Sequence, residues 1–255
     1  MRVRRGKKEK EKIRVAVASI EEQRVQKQQL FDSGKSPSDR NRLGQFATPQ
    51  SLAREIVRNA LGHHGGTHLA FLEPACGSGA FVSALFDLVD NPSRIQSAVG
   101  IEFDRDLARI ARGLWGPMGL QVVNDSFFAW DGKELSERRA SMLVANPPYV
   151  RHHHMPAAQK AVLAQRVNEG LGIPVNGLAG MYVYFMLLSH DMLAPNAISS
   201  WLIPSEFMEV KYGSALRRYL TERVELLSIH RFNADDVQFD DALTTSAVVT
   251  FRNRP

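Results

Sequence analysis

Apolar positions along this chain follow two rhythms. In "TPQSLAREIVRNAL", Leu52, Ile56, Val57 and Leu61 recur at helical spacing and share one face, which predicts an amphipathic helix. Thr48 is placed to be its N-cap and Pro49 its first helical residue. From residue 68 onward, short apolar runs alternate with helical patterns. "LAFLEP", "SAVGIEF", "LQVVND" and "ASMLVANPP" predict strands. "GAFVSALFDLVD" and a segment near 104–114 predict the helices that follow the first two. "MYVYFMLLSHDML" predicts a helix, "AISSWLIP" a strand and "GSALRRYL" a helix, and "VELLSIHRF" and "TSAVVTF" close the chain as strands. This alternation predicts an α/β fold, a mostly parallel twisted sheet with helices on both faces. The two closing strands, with no helix between them, predict a C-terminal antiparallel hairpin.

The first 42 residues are different. "DSGKSPSDRNR", from Asp32 to Arg42, is polar and turn-rich and predicts a linker. Residues 1–30 carry ten Lys/Arg and four Asp/Glu, a net of +6, whereas the whole chain is +5. The basicity therefore belongs to an extension, residues 1–42, and not to the body, residues 43–255. Such an extension either contacts phosphates by counterion release or is a solvated, partly helical or disordered arm; the two readings stand level.

The 255 residues, 44% of them hydrophobic, suffice for one substantial α/β domain and an extension. No apolar run reaches the roughly 18–20 residues needed to span a bilayer, so no membrane association is expected. The charged start is not followed by a long apolar stretch, so no signal peptide is expected. A single cysteine excludes an intramolecular disulfide framework and fits a reducing cytoplasm.

Candidate chemistry collects at the strand ends. "LEPACGSGAF", Leu72 to Phe81, is a strand that ends in a glycine turn and opens a helix. There Gly77 and Gly79 allow a ligand to approach the backbone closely. The second strand ends in "GIEFD", where Glu102 is placed to accept from ribose hydroxyls and Phe103 to pack on an adenine ring. The third ends in "NDSFF", where Asp125 is placed to accept from an adenine amino group, with Ser126 beside it and Phe127 or Phe128 on the ring face. The turn lacks both the dinucleotide pattern and the lysine of a triphosphate loop. A nucleoside cofactor without a pyrophosphate is expected, and S-adenosyl-L-methionine fits.

The fourth strand runs into "NPPYV", Asn146 to Val150. Together with "LEPACGSGAF" and the upstream "GQFATP", this stretch resembles motifs IV, I and X of S-adenosylmethionine-dependent DNA adenine-N6 methyltransferases, in the gamma-type order. The resemblance runs from about Leu43 to the C-terminus. It implies a Rossmann-like methyltransferase fold and a restriction–modification setting in a prokaryotic cytoplasm, associated with the nucleoid. It also implies direct methyl transfer to an adenine extruded from double-stranded DNA, with no metal. An exocyclic amine is a poor nucleophile, because its lone pair is delocalised into the ring. Two acceptors aimed at its hydrogens localise that pair: the side-chain carbonyl of Asn146 and the backbone carbonyl of Pro147. Pro147 and Pro148 fix φ and offer no N–H, so the turn is stiff and acceptor-rich before the base arrives. The ring of Tyr149 offers a stacking surface, worth roughly 1–3 kcal/mol per base. "VQFDDALTTSAVVTF" resembles motif VIII and makes Phe239 the second base-packing candidate. By the same resemblance Phe46 and Thr48 hold the methionine end of the cofactor beside Ala75, and Glu73 meets its ammonium.

Other features are set aside. Cys76 lies in the glycine turn and reads as a small packing residue. The run "RHHHM" does not read as a metal site, because neighbouring side chains diverge. "LRRYL", with Arg217 and Arg218, reads as a helix face. Gamma-type enzymes continue into a target-recognition domain after motif VIII, and none is evident here. Two explanations stand open: a separate target-recognition subunit as partner, or a truncated chain, with the basic N-terminal arm substituting in part. Two alternatives remain: methylation of RNA or of a protein glutamine amide, and an inactive cofactor-binding subunit.

Overall fold

The computed structural model describes residues 2–36, 39, 44–135, 139–232 and 245–254, and for residues 2–10 the backbone path alone. Its elements follow the predicted alternation. A long helix, α1 (Arg2–Ser33), precedes α2 (Gln50–His63), β1 (Leu69–Glu73), α3 (Ala80–Leu88), β2 (Ile95–Ile101) and α4 (Arg105–Trp115). Then come β3 (Leu120–Val123), β4 (Ala140–Ala145), α5 (Ala157–Leu171), α6 (Met181–Leu188) and β5 (Leu193–Pro204), and finally α7 (Ser214–Glu222), β6 (Glu225–Arg231) and β7 (Ser246–Arg252).

The strands form one seven-stranded sheet in the order β3-β2-β1-β4-β5-β7-β6. Pairings among β1 to β5 are parallel. β7 inserts antiparallel between β5 and β6, so the expected antiparallel pair is present. The chain moves outward from β1 to β3 in one direction and from β4 to β5 in the other. The switch lies between β1 and β4, where the loops after the two strands diverge and leave a crevice at their carboxyl ends.

Helices cover both faces, which is why the central strands read as unbroken apolar runs. All of β1 is buried, and so is nearly all of β4. Phe71, Phe81, Leu85, Trp115 and Met142 centre one core; Tyr184, Trp201, Phe207, Tyr219 and Phe251 centre the other.

The N-terminal segment is helical over 32 residues and packs against α3 and α4. Val17, Glu21 and Arg24 of α1 are buried, so this stretch is not a solvated arm. The predicted cap of α2 is corrected. Pro49 occupies the N-cap position, the helix starts at Gln50, and no side chain caps it. The hydroxyl of Thr48 is engaged elsewhere, by Asn146.

Candidate active site

Parallel register brings the ends of β1, β2, β3 and β4 to one edge of the sheet. The turns after them are tied together by backbone bonds. Cys76 N donates to Ile101 O at 2.9 Å, and Glu102 N donates to Val123 O at 2.9 Å. A cavity of about 390 Å³ opens there. Phe46, Ala75, Gly77, Glu102, Phe103, Asp125, Ser126, Phe127, Asn146 and Pro148 line it, so most of the sequence-predicted residues converge. Thr48 and Glu73 line a smaller recess that shares Phe46, Ala75, Gly77 and Asn146 with the main cavity.

The glycine turn has a strict geometry. Gly79 has φ +93°, and a Cβ there would lie 2.6 Å from the Trp115 ring. The Trp115 indole N–H donates to Ser78 O at 3.0 Å and pins the turn to α4. Gly79 thus shapes the turn from behind and does not line the cavity. Cys76 is buried with its sulfur against Gly100, as a packing residue, and burial pushes its thiol pKa up.

Glu102 accepts from Gly77 N at 2.8 Å through one carboxylate oxygen and from Asp104 N at 2.7 Å through the other. Burial raises its pKa, and these backbone donors oppose the rise. Phe103 is 81% exposed at the cavity mouth, an apolar ring in water beside a carboxylate. Asp125 is exposed and accepts from Ser126 N at 2.6 Å. Phe127 is buried and stacks on Phe185 of α6, centroids 5.1 Å apart. Phe128 meets the same ring edge-on at 4.8 Å.

Glu73 is buried at the end of β1. Its carboxyl receives backbone N–H from Val82 and Phe81. Oε2 has no hydrogen-bond partner among the described residues. Burial raises the pKa well above the usual carboxylate range, against the pull of those N–H groups and of Arg24. A buried acid with an idle oxygen in a recess beside a nucleoside-sized cavity suits a cationic group. Glu102 suits hydroxyls, and Phe103 a planar ring. This donor and acceptor set fits S-adenosylmethionine.

The Asn-Pro-Pro-Tyr turn is held by the "GQFATP" segment. Asn146 Nδ2 donates to Phe46 O at 3.0 Å and to Thr48 Oγ1 at 3.1 Å. The carbonyl Phe46 O can only accept, which fixes the orientation of the amide. Tyr149 N donates to Gly44 O at 3.1 Å. Gly44 has φ +62°, and a Cβ there would lie 2.3 Å from Tyr149 N, so glycine permits this close approach. Tyr149 is buried, with its hydroxyl donating to Leu202 O at 3.2 Å and its ring 5.8 Å from Phe46. Neither Tyr149 nor Pro147 lines the cavity. Phe239 lies outside the described residues.

Several neighbours of the cavity carry no motif signal. Gln28, Phe31 and Asp32 of α1 line it, and so do Gln159, Met181 and Phe185. Lys35 clasps the end of α1 to the rim, reaching Asp104 at 3.1 Å and Gln45 at 2.8 Å. The three histidines form a short turn, His152–His154. Among the described residues no group of three or more His, Cys, Asp or Glu is arranged to hold a metal ion. Arg217 donates to Phe207 O and Val210 O, a structural role. Among the described residues no helix is long and apolar enough to cross a membrane.

The sheet order and the site together define the fold of the class I S-adenosylmethionine-dependent methyltransferases. A Listeria monocytogenes protein described as one matches with a TM-score of 0.63 at 11% identity, over 82% of this chain and 61% of that one. A type I restriction–modification methyltransferase subunit from Streptococcus thermophilus matches with a TM-score of 0.67 at 15% identity, over 82% and 45%. In sequence, residues 122–238 match the Eco57I restriction-modification methylase family. The type II methyltransferase M.XamI from Xanthomonas campestris pv. amaranthicola is 27% identical over 83% of this chain and 39% of its own length. The chain is similar in sequence to restriction–modification methyltransferases and spans less than half the length of the curated relatives it matches.

Proposed function

We propose that this chain is the catalytic part of a DNA methyltransferase that modifies adenine at N6, with S-adenosylmethionine as cofactor. The observation that carries the reading is the anchoring of Asn146. Its amide N–H₂ is held by Phe46 O and Thr48 Oγ1, which leaves the side-chain carbonyl as an oriented acceptor beside the cavity. The cofactor, when bound, supplies an electrophilic methyl group. In this reading Glu102 accepts from the ribose hydroxyls, Phe103 and Phe127 flank the adenine, and Glu73 meets the ammonium. Asn146 Oδ1 and Pro147 O accept hydrogen bonds from the two hydrogens of the substrate amine and localise its lone pair. The nitrogen gains the methyl group and sheds one proton to solvent. Because these acceptors are fixed in advance, the site spends little reorganisation when charge develops.

Duplex DNA is the proposed substrate; the ring of Tyr149 packs the extruded base once it leaves Phe46 and turns into the cavity. The likeness to a methyltransferase subunit supports a companion recognition subunit. The test is incubation with S-adenosylmethionine and duplex DNA, digestion to nucleosides and mass spectrometry, with Asn146→Ala in parallel. N6-Methyladenine from the native chain and none from the variant is the expected result. Full activity of Asn146→Ala in an assembled complex would overturn the reading.

A further inference from the structure

We infer that the N-terminal helix α1 supplies half of the subsite for the amino-acid end of the cofactor, with Arg24 as the ligand of its carboxylate. This rests on the cofactor reading above. Arg24 is buried although it belongs to the most basic part of the chain, and it lines the recess that contains Glu73. Two of its nitrogens bind Glu21, at 2.7 and 2.6 Å, and a third donates to Ser78 Oγ at 3.2 Å. A guanidinium has five N–H donors. These three bonds lock the planar fork onto the glycine turn and, among the described residues, leave two donors uncommitted.

The charges of the recess match the chemistry. An amino-acid end carries an ammonium and a carboxylate a few bonds apart. Glu73 offers an acid with an idle oxygen, and Arg24 a cation with N–H groups to spare, and both line one recess of about 50 Å³. Glu21 does not cancel this role. It fixes the direction of the guanidinium, much as a second carboxylate orients a metal-binding histidine. Burying a second acid on α1, itself 3% exposed, is costly unless that pair does something for the fold or the site. The alternative is that Glu21 and Arg24 only glue α1 to the glycine turn.

The two differ in what they do to ligands that differ only in a carboxylate. S-Adenosylmethionine and decarboxylated S-adenosylmethionine are titrated calorimetrically into the full chain, the Arg24→Lys variant and the double variant Glu21→Gln/Arg24→Gln. The double variant removes both buried charges together, so neither is stranded. The native chain is expected to favour the carboxylated ligand by about tenfold or more, the scale of a charge-assisted hydrogen bond. The double variant is expected to bind both alike, at the native affinity for the decarboxylated ligand, and Arg24→Lys to fall between. Equal weakening of both ligands in the variants would reduce Arg24 to a structural role and overturn the inference. So would an unchanged preference. A native chain that binds neither ligand would overturn the cofactor reading itself.

Discussion

The side-chain amide of Asn146 donates to the backbone carbonyl of Phe46 at 3.0 Å, joining two segments 100 residues apart in the chain. That bond, with its neighbour to Thr48, makes the Asn-Pro-Pro-Tyr turn and the segment before α2 a single unit. It also commits the amide nitrogen to structure, and in the proposed mechanism leaves the oxygen for the substrate amine. Asn146→Asp is therefore expected to fail although its size is nearly unchanged. A carboxylate oxygen would face Phe46 O, and two acceptors repel. The variant should retain cofactor affinity within a few-fold and lose methylation by at least ~100-fold, the scale of one oriented acceptor in a preorganised site. Nucleoside mass spectrometry beside calorimetry separates the two effects.

Thr48 gives a finer test of the same unit. Thr48→Val keeps the shape and removes the acceptor, leaving one Asn146 N–H without this partner. A cost of about 1–3 kcal/mol in transition-state stabilisation is expected, or roughly five- to 150-fold in kcat. Thr48→Ser should recover most of it. Equal activity of Val and Ser would mean that the hydroxyl has no part in orienting the amide.

Gly44 sits where the same two segments touch backbone to backbone. Gly44→Ala meets two obstacles at once: φ +62° and a Cβ 2.3 Å from Tyr149 N. Something must move, and what lies opposite is main chain. A destabilisation of about 2 kcal/mol or more is expected. Thermal melting reads it, and methylation should fall further than stability because the turn that carries Asn146 is displaced. Gly77→Ala is the control, with a similar φ of +55° but open space around it. It should cost less.

Tyr149 separates ring from hydroxyl. Its hydroxyl donates to Leu202 O inside the core, so Tyr149→Phe leaves a buried carbonyl without that donor. A loss of ~1 kcal/mol is expected in denaturant melts, with most methylation retained. Tyr149→Ala should abolish methylation. A Phe variant as inactive as the Ala variant would assign the hydroxyl, and not the ring, to the reaction.

What the sequence made legible follows from these contacts. The strands and the glycine turn were readable because a central parallel strand must be apolar throughout and must end where its ligand-binding turn begins. The cap at Thr48 was misread because a local rule was overridden by a bond to a residue far along the chain. Phe185 was hidden in "MYVYFMLL", an all-apolar run with no face to mark it. α1 was hardest to read. Its buried Val17, Glu21 and Arg24 lie in a stretch, "VASIEEQR", that mixes small, polar and charged residues, and an acid–base pair three residues apart on a helix looks like a surface ion pair until the partner Ser78 is seen.

Glu73 links stability, pH and ligand. Burial raises its pKa well above the ordinary value, so the folded chain by itself favours the protonated acid. The sign follows: the stability tied to this proton is complete below the ordinary carboxylate pKa and is lost as pH rises through the raised value. A cationic ammonium beside Oε2 favours the charged form instead. Binding should therefore release protons, which calorimetry in buffers of different ionisation enthalpy detects, and affinity should rise with pH over the same window. Glu73→Gln imitates the protonated acid. Without ligand above that window it is expected to be more stable than the native chain by about 1 kcal/mol, or ~2–4 °C in Tm. It should also bind the cofactor at least about tenfold more weakly. A Gln variant that melts lower and binds normally would mean that the buried carboxylate serves the fold and not the ligand.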